Sequence, residues 1–178
     1  VVVFLGGGLC SSYNNMVRLN KDVDEKWANI ETQLTRRSDL IPNLVATVKA
    51  YAKQEETVLT EVTRARAGLD NARTMEEISK ANGDLNQALS RLMVVVEAYP
   101  ELKSNENFLQ LQAQLEGTEN RINYARMEYN KSVKSYNTAI AVFPGSIIAG
   151  IFGFKPRESF EASERERQNP DVKDLFEG

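Results

Sequence analysis

The sequence contains no histidine among its 178 residues. This absence excludes histidine acid–base chemistry, Ser-His and Cys-His nucleophiles, most zinc sites and the Glu-x-x-His pairs of di-iron bundles. A single cysteine excludes an internal disulfide, and a net charge of −3 gives no basic excess that would indicate nucleic-acid binding. We therefore expect no cofactor, no metal and no nucleic-acid partner.

Proline is scarce, with five residues, and aromatic residues make up only 8% of the chain, which favours helices over sheet. Apolar residues near the beginning recur every three or four positions, as in an amphipathic helix. This stripe consists of Met16, Leu19, Val23, Trp27, Ile30 and Leu34, and a second stripe contains Leu44, Val45, Val48 and Tyr51. Pro42 lies between them. Because proline suits the first turn of a helix and disfavours helical backbone in the preceding residue, residues 39–42 predict a sharp corner between two helices.

Two further helices are predicted downstream. Thr74 and Glu77 have the spacing of a capping box, so a third helix should begin there and end at residues 98–100. Ser104 or Asn105 can cap a fourth helix. Its regular apolar seam contains Phe108, Leu111, Leu115, Thr118, Ile122, Ala125, Tyr129, Tyr136 and Ile140, with Ser132 or Val133 in the one gap. These patterns predict an all-α fold, an elongated antiparallel bundle of about four long helices with coiled-coil-like packing.

Several motifs resemble the LemA family. They are the turn around Trp27, the Arg36-Arg37 pair, the segment Asp39-Leu40-Ile41-Pro42-Asn43-Leu44-Val45, the segment Val48-Lys49-Ala50-Tyr51-Ala52, and Phe143-Pro144 with residues 150–156. The likeness covers nearly the whole chain. It implies an N-terminally membrane-anchored bundle of long helices with no established enzymatic activity, and it suggests a membrane protease or another envelope protein as a neighbour.

The amino-terminal residues 1–9 carry no charge, and the chain begins without methionine. They are too few to span a bilayer, which requires about 20 apolar residues. We interpret residues 1–11 as the end of an N-terminal membrane anchor; the alternative is an apolar tail or the remnant of a signal. Arg18 and Lys21 are a weak indication of a cytoplasmic body and leave the side of the membrane open. Some members of the LemA family resemble lipoproteins, but Leu9 stands where a lipoprotein signal prefers a small residue. We therefore interpret Cys10 as an apolar cysteine near the membrane surface, and lipidation is the alternative.

The remaining chain is divided into a helical bundle at residues 12–143, an apolar Gly/Pro segment at 144–156 and a loosely ordered, solvated polar tail at 157–178. Residues 139–154 carry no charge but are too short and too broken to form a spanning helix. They could meet the membrane, a partner or a neighbouring copy. The alternative is that they fold back and close the end of the bundle.

Two regions are candidate interaction sites, and no residue is a catalytic candidate. The first region is the polar corner Arg36-Arg37-Ser38-Asp39, in which an arginine could bind a carboxylate or a phosphate. The alternative is that Asp39 caps the helix beginning near Pro42 while one arginine faces the end of the first helix. The second region is the apolar segment. The candidate residues are Arg36, Arg37, Asp39, Asn43, Ile147, Ile148, Ile151, Phe152 and Phe154.

These observations predict a non-enzymatic, membrane-anchored helical scaffold or adaptor of the bacterial envelope. The alternative is a self-assembling protein that forms a large homo-oligomer at the membrane through helix faces and residues 139–154. A carboxylate-based enzyme is a distant alternative, because the carboxylates lie opposite the apolar stripes, where they are usually solvated.

Overall fold

The computed structural model describes the backbone of residues 2–160 and the side chains of residues 11–160. This range contains six helices and no strand: α1 (Val2–Tyr51), α2 (Glu56–Asn71), α3 (Met75–Val96), α4 (Pro100–Lys103), α5 (Glu106–Ala141) and α6 (Gly145–Phe152). The predicted all-α bundle is confirmed. The anchor predicted at residues 1–11 stays a prediction, and the polar tail beyond Phe160 lies outside the described residues.

The chain divides into two compact units. Unit 1 consists of Val1–Arg37 and Glu116–Phe160, and unit 2 contains Ser38–Leu115 among the described residues. Helices α1 and α5 therefore contribute to both units, because the divisions fall within them.

In unit 1, the first part of α1 packs against the second part of α5. Trp27 contacts Tyr129 with ring centroids 5.5 Å apart, and Arg37 contacts Glu119, so the two helices run antiparallel. The predicted stripes form the core. The buried residues are Met16, Val23, Ile30 and Leu34 from α1, with Thr118, Ile122, Ala125, Tyr129, Ser132, Val133, Tyr136 and Ile140 from α5. Both candidates for the gap in the seam, Ser132 and Val133, are therefore buried.

In unit 2, helices α2 and α3 pack together, and their buried residues include Leu59, Val62, Leu69, Ile78, Leu85, Leu89 and Leu92. The predicted capping box begins α3. The Glu77 amide donates to the Thr74 hydroxyl over 3.2 Å, and the Glu77 carboxylate accepts from the Thr74 amide over 3.1 Å. Asn105 caps α5 by accepting a hydrogen bond from the Phe108 amide over 3.0 Å. The short helix α4, which follows the end of α3, was not predicted.

The predicted corner at residues 39–42 is wrong, because α1 continues through Pro42 to Tyr51. Consequently Asp39 lies inside a helix and does not cap one. Proline has no amide hydrogen, so in this helix the Ser38 carbonyl lacks its usual donor four residues along. The Arg66 side chain of α2 replaces it: its Nε donates to the Ser38 carbonyl oxygen over 3.0 Å. A long-range hydrogen bond thus compensates for the proline.

The chain instead turns between Tyr51 and Glu56. Neither glycine nor proline occurs in this connection, so the sequence contained no common turn signal. The turn is stabilised within unit 2. Tyr99 donates its phenol hydrogen to the Glu55 carboxylate over 2.8 Å, and Asn105 donates to the Tyr51 phenol oxygen over 3.0 Å.

Candidate interaction site

Helix α6 presents an apolar surface at one end of unit 1. We define the α6 surface as Val142, Phe143, Ile147, Ile151 and Phe152, which are all exposed. Phe143 is 80% exposed and Ile151 is 71% exposed, although both are large apolar side chains. Adjacent exposed apolar residues of this size are typical of a surface that binds a partner or a membrane.

The opposite side of α6 belongs to the core. Ile148 and Ala149 are buried, at 2% and 7% exposure. One side of the helix thus closes unit 1, as the second interpretation of residues 139–154 predicts, and the other side is exposed; a contact with a membrane, a partner or a neighbouring copy stays a prediction. Among the candidate residues, Ile147, Ile151 and Phe152 belong to the exposed side, Ile148 is buried and Phe154 is half-buried.

Gly145 fixes the bend of 93° between α5 and α6. A β-carbon at this position would lie 2.0 Å from the Ala139 carbonyl oxygen and 2.7 Å from the Met16 methyl group. Such distances are well below van der Waals contact, so only glycine allows α6 to begin here. At its other end, α6 stops at Gly153, whose φ of 75° is a left-handed cap.

Tyr13 connects the α6 surface to the first turns of α1. Its ring lies 4.7 Å from the ring of Phe152 and 5.8 Å from that of Phe154, between centroids. The helical backbone of residues 2–10, whose sequence carries no charge, immediately precedes this contact. The exposed side of α6 therefore lies beside the uncharged beginning of α1.

The four candidate residues of the predicted polar site at residues 36–43 do not share one environment. Arg36, Asp39 and Asn43 are exposed. Arg37 is 4% exposed and forms an ion pair with Glu119 within unit 1. Burial lowers the pKa of the Arg37 guanidinium, while the charge and the hydrogen bond of Glu119 oppose that shift. The ion pair with Glu119 therefore accounts for the buried Arg37 by a structural role.

A strap, residues 155–160, follows α6 and lies along α5. The Tyr136 and Tyr129 hydroxyls donate to the carbonyl oxygens of Lys155 and Glu158, each over 3.0 Å. Burial raises the pKa of both phenols. Residues 157–160 were predicted to belong to a loosely ordered tail, and these contacts were not predicted.

Two asparagines of α5 hold the strap through its main chain. The Asn137 side chain accepts from the Arg157 amide over 2.9 Å and donates to the Arg157 carbonyl over 2.8 Å. The Asn130 side chain makes the same pair with Phe160, at 2.7 Å and 2.9 Å. Asn130 and Asn137 are separated by one heptad, a regularity that could have been noticed in the sequence.

Two clefts of the described residues lack paired carboxylates. A cleft of about 260 Å³ in unit 1 is lined by Asn29, Gln33, Asn120, Arg121 and Tyr124. A cleft of about 570 Å³ in unit 2 is lined by Val45, Lys49, Lys53, Glu56, Leu59, Thr60, Thr63, Arg64 and Ala67. Neither of these clefts brings two carboxylates together, the arrangement expected of a carboxylate-based enzyme.

Comparison with known proteins identifies the family. The LemA family model matches residues 26–173, which is most of the chain. The chain belongs to the LemA family. Among its relatives are the magnetosome proteins MamQ 1 and MamQ 2 of Paramagnetospirillum magneticum, each 30% identical over 90% of this chain and 68% of the relative. Protein LemA of Metamycoplasma hominis is 23% identical over 91% of this chain and 74% of the relative.

Within this LemA-family chain, no single helix of the described residues is long and apolar enough to cross a bilayer. Helices α5 and α6 reach that length and composition only when they are considered as one bent pair.

Proposed function

We propose that this protein is a non-enzymatic helical scaffold or adaptor, attached to a bacterial membrane by its amino-terminal segment and by the α6 surface. LemA-family membership and the relatives named as magnetosome proteins fit a membrane-associated, non-enzymatic protein. The observation that carries the proposal is the contact of Tyr13 with Phe152, which joins the uncharged beginning of α1 to an exposed apolar helix face.

The chemistry of the α6 surface suits the boundary of a bilayer. Its side chains are aliphatic and aromatic, and α6 itself carries no charged residue. An exposed apolar helix face of this kind can lie in the interface with its side chains among the acyl chains. The buried side of α6 meanwhile remains in the core of unit 1. In this arrangement the long helices would be presented beside the membrane to a partner, for which a membrane protease or another envelope protein is the expected class.

Fluorescence labelling can test the proposal in the full chain. Cys10 is replaced by serine, Ile151 by cysteine, and the new thiol is labelled with an environment-sensitive fluorophore. Vesicles of phosphatidylethanolamine and phosphatidylglycerol should shift the emission to shorter wavelength, and lipid-borne quenchers should reduce it. Val94 of α3 is the matched control, because it is also apolar and is 74% exposed. A label at position 94 should not respond.

An unchanged signal at position 151 on vesicles that carry the protein would contradict a membrane role for α6. If the label at 151 instead responds to protein concentration without lipid, the α6 surface contacts another copy. That result would favour the alternative, a self-assembling protein that forms a large homo-oligomer. Light scattering after size exclusion would then give the mass of the assembly.

A further inference from the structure

The strap and α5 share a matching repeat. On α5, the asparagine pair and the tyrosine pair are each separated by seven residues, a rise of about 10.5 Å. The strap residues that they bind, Arg157 with Phe160 and Lys155 with Glu158, are three residues apart. Three residues of extended chain cover about 10 Å. One heptad of the helix therefore corresponds to three residues of the strap, and the same set of contacts occurs twice.

The asparagine contacts recognise main chain, not side chains. Each asparagine amide both accepts from an N–H and donates to a C=O of the same residue, as an opposing strand does in an antiparallel sheet. Reversing either amide would place its NH₂ against an N–H, so the orientation is fixed by its partners. Any extended segment with free amides could form these four hydrogen bonds.

Side chains of the strap add selectivity at the same two positions. Arg157 forms an ion pair with Asp24 of α1, with 2.6 Å between Nη2 and Oδ1. Phe160 is 5% exposed; its ring centroid lies 6.2 Å from that of Trp27 and 4.5 Å from the Arg126 guanidinium carbon. The groove between α1 and α5 thus selects an extended segment with arginine three residues before an aromatic residue.

We propose that this groove binds the strap of a second copy as well as its own, so that copies of the chain exchange straps. The recognition is chemical and does not depend on which copy supplies the segment, and each copy carries a matching one. Exchange preserves all six hydrogen bonds, the ion pair and the buried phenylalanine, which is why swapping an identical element is a low-cost route to association. The inference goes beyond the proposed function, because it requires no membrane.

Complementary variants of the full chain test the exchange. A groove variant, Asn130→Ala with Asn137→Ala, keeps an intact strap but loses the asparagine contacts. A strap variant, Arg157→Pro with Phe160→Pro, keeps an intact groove but loses both strap amides that donate. Each variant alone should be monomeric by light scattering. Their mixture should form a 1:1 complex, because the strap of the first can occupy the groove of the second.

The matched control mixes the groove variant with a chain that carries all four substitutions, in which no intact groove remains. This mixture should form no complex. If the groove and strap variants also fail to associate while circular dichroism shows that both are folded, the exchange is refuted and the groove serves only its own chain. If the strap variant does not fold, Phe160→Ala replaces it, because alanine keeps the amide donor while removing the buried ring.

A peptide provides an independent measurement. The probe is a synthetic peptide of residues 154–160, titrated into the strap variant. Adding Asn130→Ala should weaken its binding by about tenfold, since two hydrogen bonds are lost. Asn123→Ala is the matched control: Asn123 is exposed on α5 one heptad before Asn130, about 10.5 Å further along the helix. It should leave the affinity unchanged. Equal affinity in all three proteins would show that the peptide does not occupy the groove and would overturn the proposal.

Discussion

The Nε of Arg66 lies 3.0 Å from the Ser38 carbonyl oxygen, the acceptor that Pro42 leaves without its usual helical donor. The same Nε lies 3.1 Å from the Ser38 hydroxyl, which in turn donates to Asp70. A residue of α2 therefore satisfies a backbone group of α1. Since Ser38 is 2% exposed, water is a poor substitute for this donor.

Arg66→Leu should lower the free energy of unfolding by about 1–3 kcal/mol, because it leaves a buried carbonyl without a donor. In a Pro42→Ala background the loss should be smaller, since alanine at position 42 supplies the helical N–H. Urea unfolding of the four proteins gives the coupling energy, expected to be about 1 kcal/mol. Arg64→Leu, at an exposed arginine of the same helix, should change stability by less than about 0.5 kcal/mol. A coupling energy of zero in this double-mutant cycle would contradict the conclusion that Arg66 compensates for Pro42.

Removing one partner of the ion pair between Arg37 and Glu119 should be costly. Glu119→Ala would leave a guanidinium that is 4% exposed without its carboxylate. Because the Glu119 side chain is 28% exposed, we expect a loss of about 2–3 kcal/mol, at or below the lower end for buried pairs. The double variant Arg37→Met with Glu119→Met should recover part of this loss in thermal or urea unfolding. If the single and the double variant lost the same free energy of unfolding, the charge of Arg37 would not be the cause of the loss in Glu119→Ala.

Gly145→Ala should destabilise unit 1 by about 1–3 kcal/mol, because the new methyl group overlaps the Ala139 carbonyl and the Met16 side chain. It should also displace α6 and reduce the vesicle response of a label at position 151. Gly150→Ala is the control on the same helix: nothing lies within 4 Å of its β-carbon, so the substitution should be neutral or stabilising by about 0.5–1 kcal/mol. Comparable losses at both positions would contradict the steric explanation.

The pH dependence of the α3 capping box has a defined sign. Hydrogen bonds from the Arg73 and Thr74 amides lower the pKa of Glu77, so the folded state favours the carboxylate. Its contribution is complete above the ordinary pKa of about 4.3 and is lost as the pH falls through the lowered value. Glu77→Gln should therefore be less stable than the parent at pH 7, and the difference should narrow below about pH 4.

Urea unfolding at several pH values measures this difference. Thr74→Ala should cost about 1 kcal/mol at both ends of that range, because a threonine hydroxyl does not titrate there. A gap between Glu77→Gln and the parent that stayed constant with pH would show that the charge of Glu77 contributes nothing.

The features that the sequence predicted are periodic or local. The stripe from Met16 to Leu34 and the seam from Phe108 to Ile140 repeat with the turn of a helix, and so they identify the buried faces. The Thr74 capping box lies within four residues and needs no tertiary partner. One of the two alternatives for residues 139–154 was an exposed apolar surface. The sequence did not predict which side of α6 would be exposed.

The features that the sequence did not predict are contacts between residues that are distant in the chain. Pro42 is a local signal for a break, yet Arg66, 28 residues from Ser38 in the chain, supplies the donor that the Ser38 carbonyl lacks, and α1 continues. The polar composition of residues 157–160 indicated a solvated tail, yet Asn130 and Asn137 bind its main chain, which composition does not encode.

The amino-acid sequence by itself determined that this protein is helical, which faces of its helices are buried and to which family it belongs, because periodic apolar spacing and short motifs act within a few turns. Only the tertiary structure decided where α1 ends, which carboxylate pairs with Arg37, which side of α6 is exposed and how the strap is held. These outcomes depend on hydrogen bonds and packing between segments that are far apart in sequence, and local propensity cannot specify which segments meet.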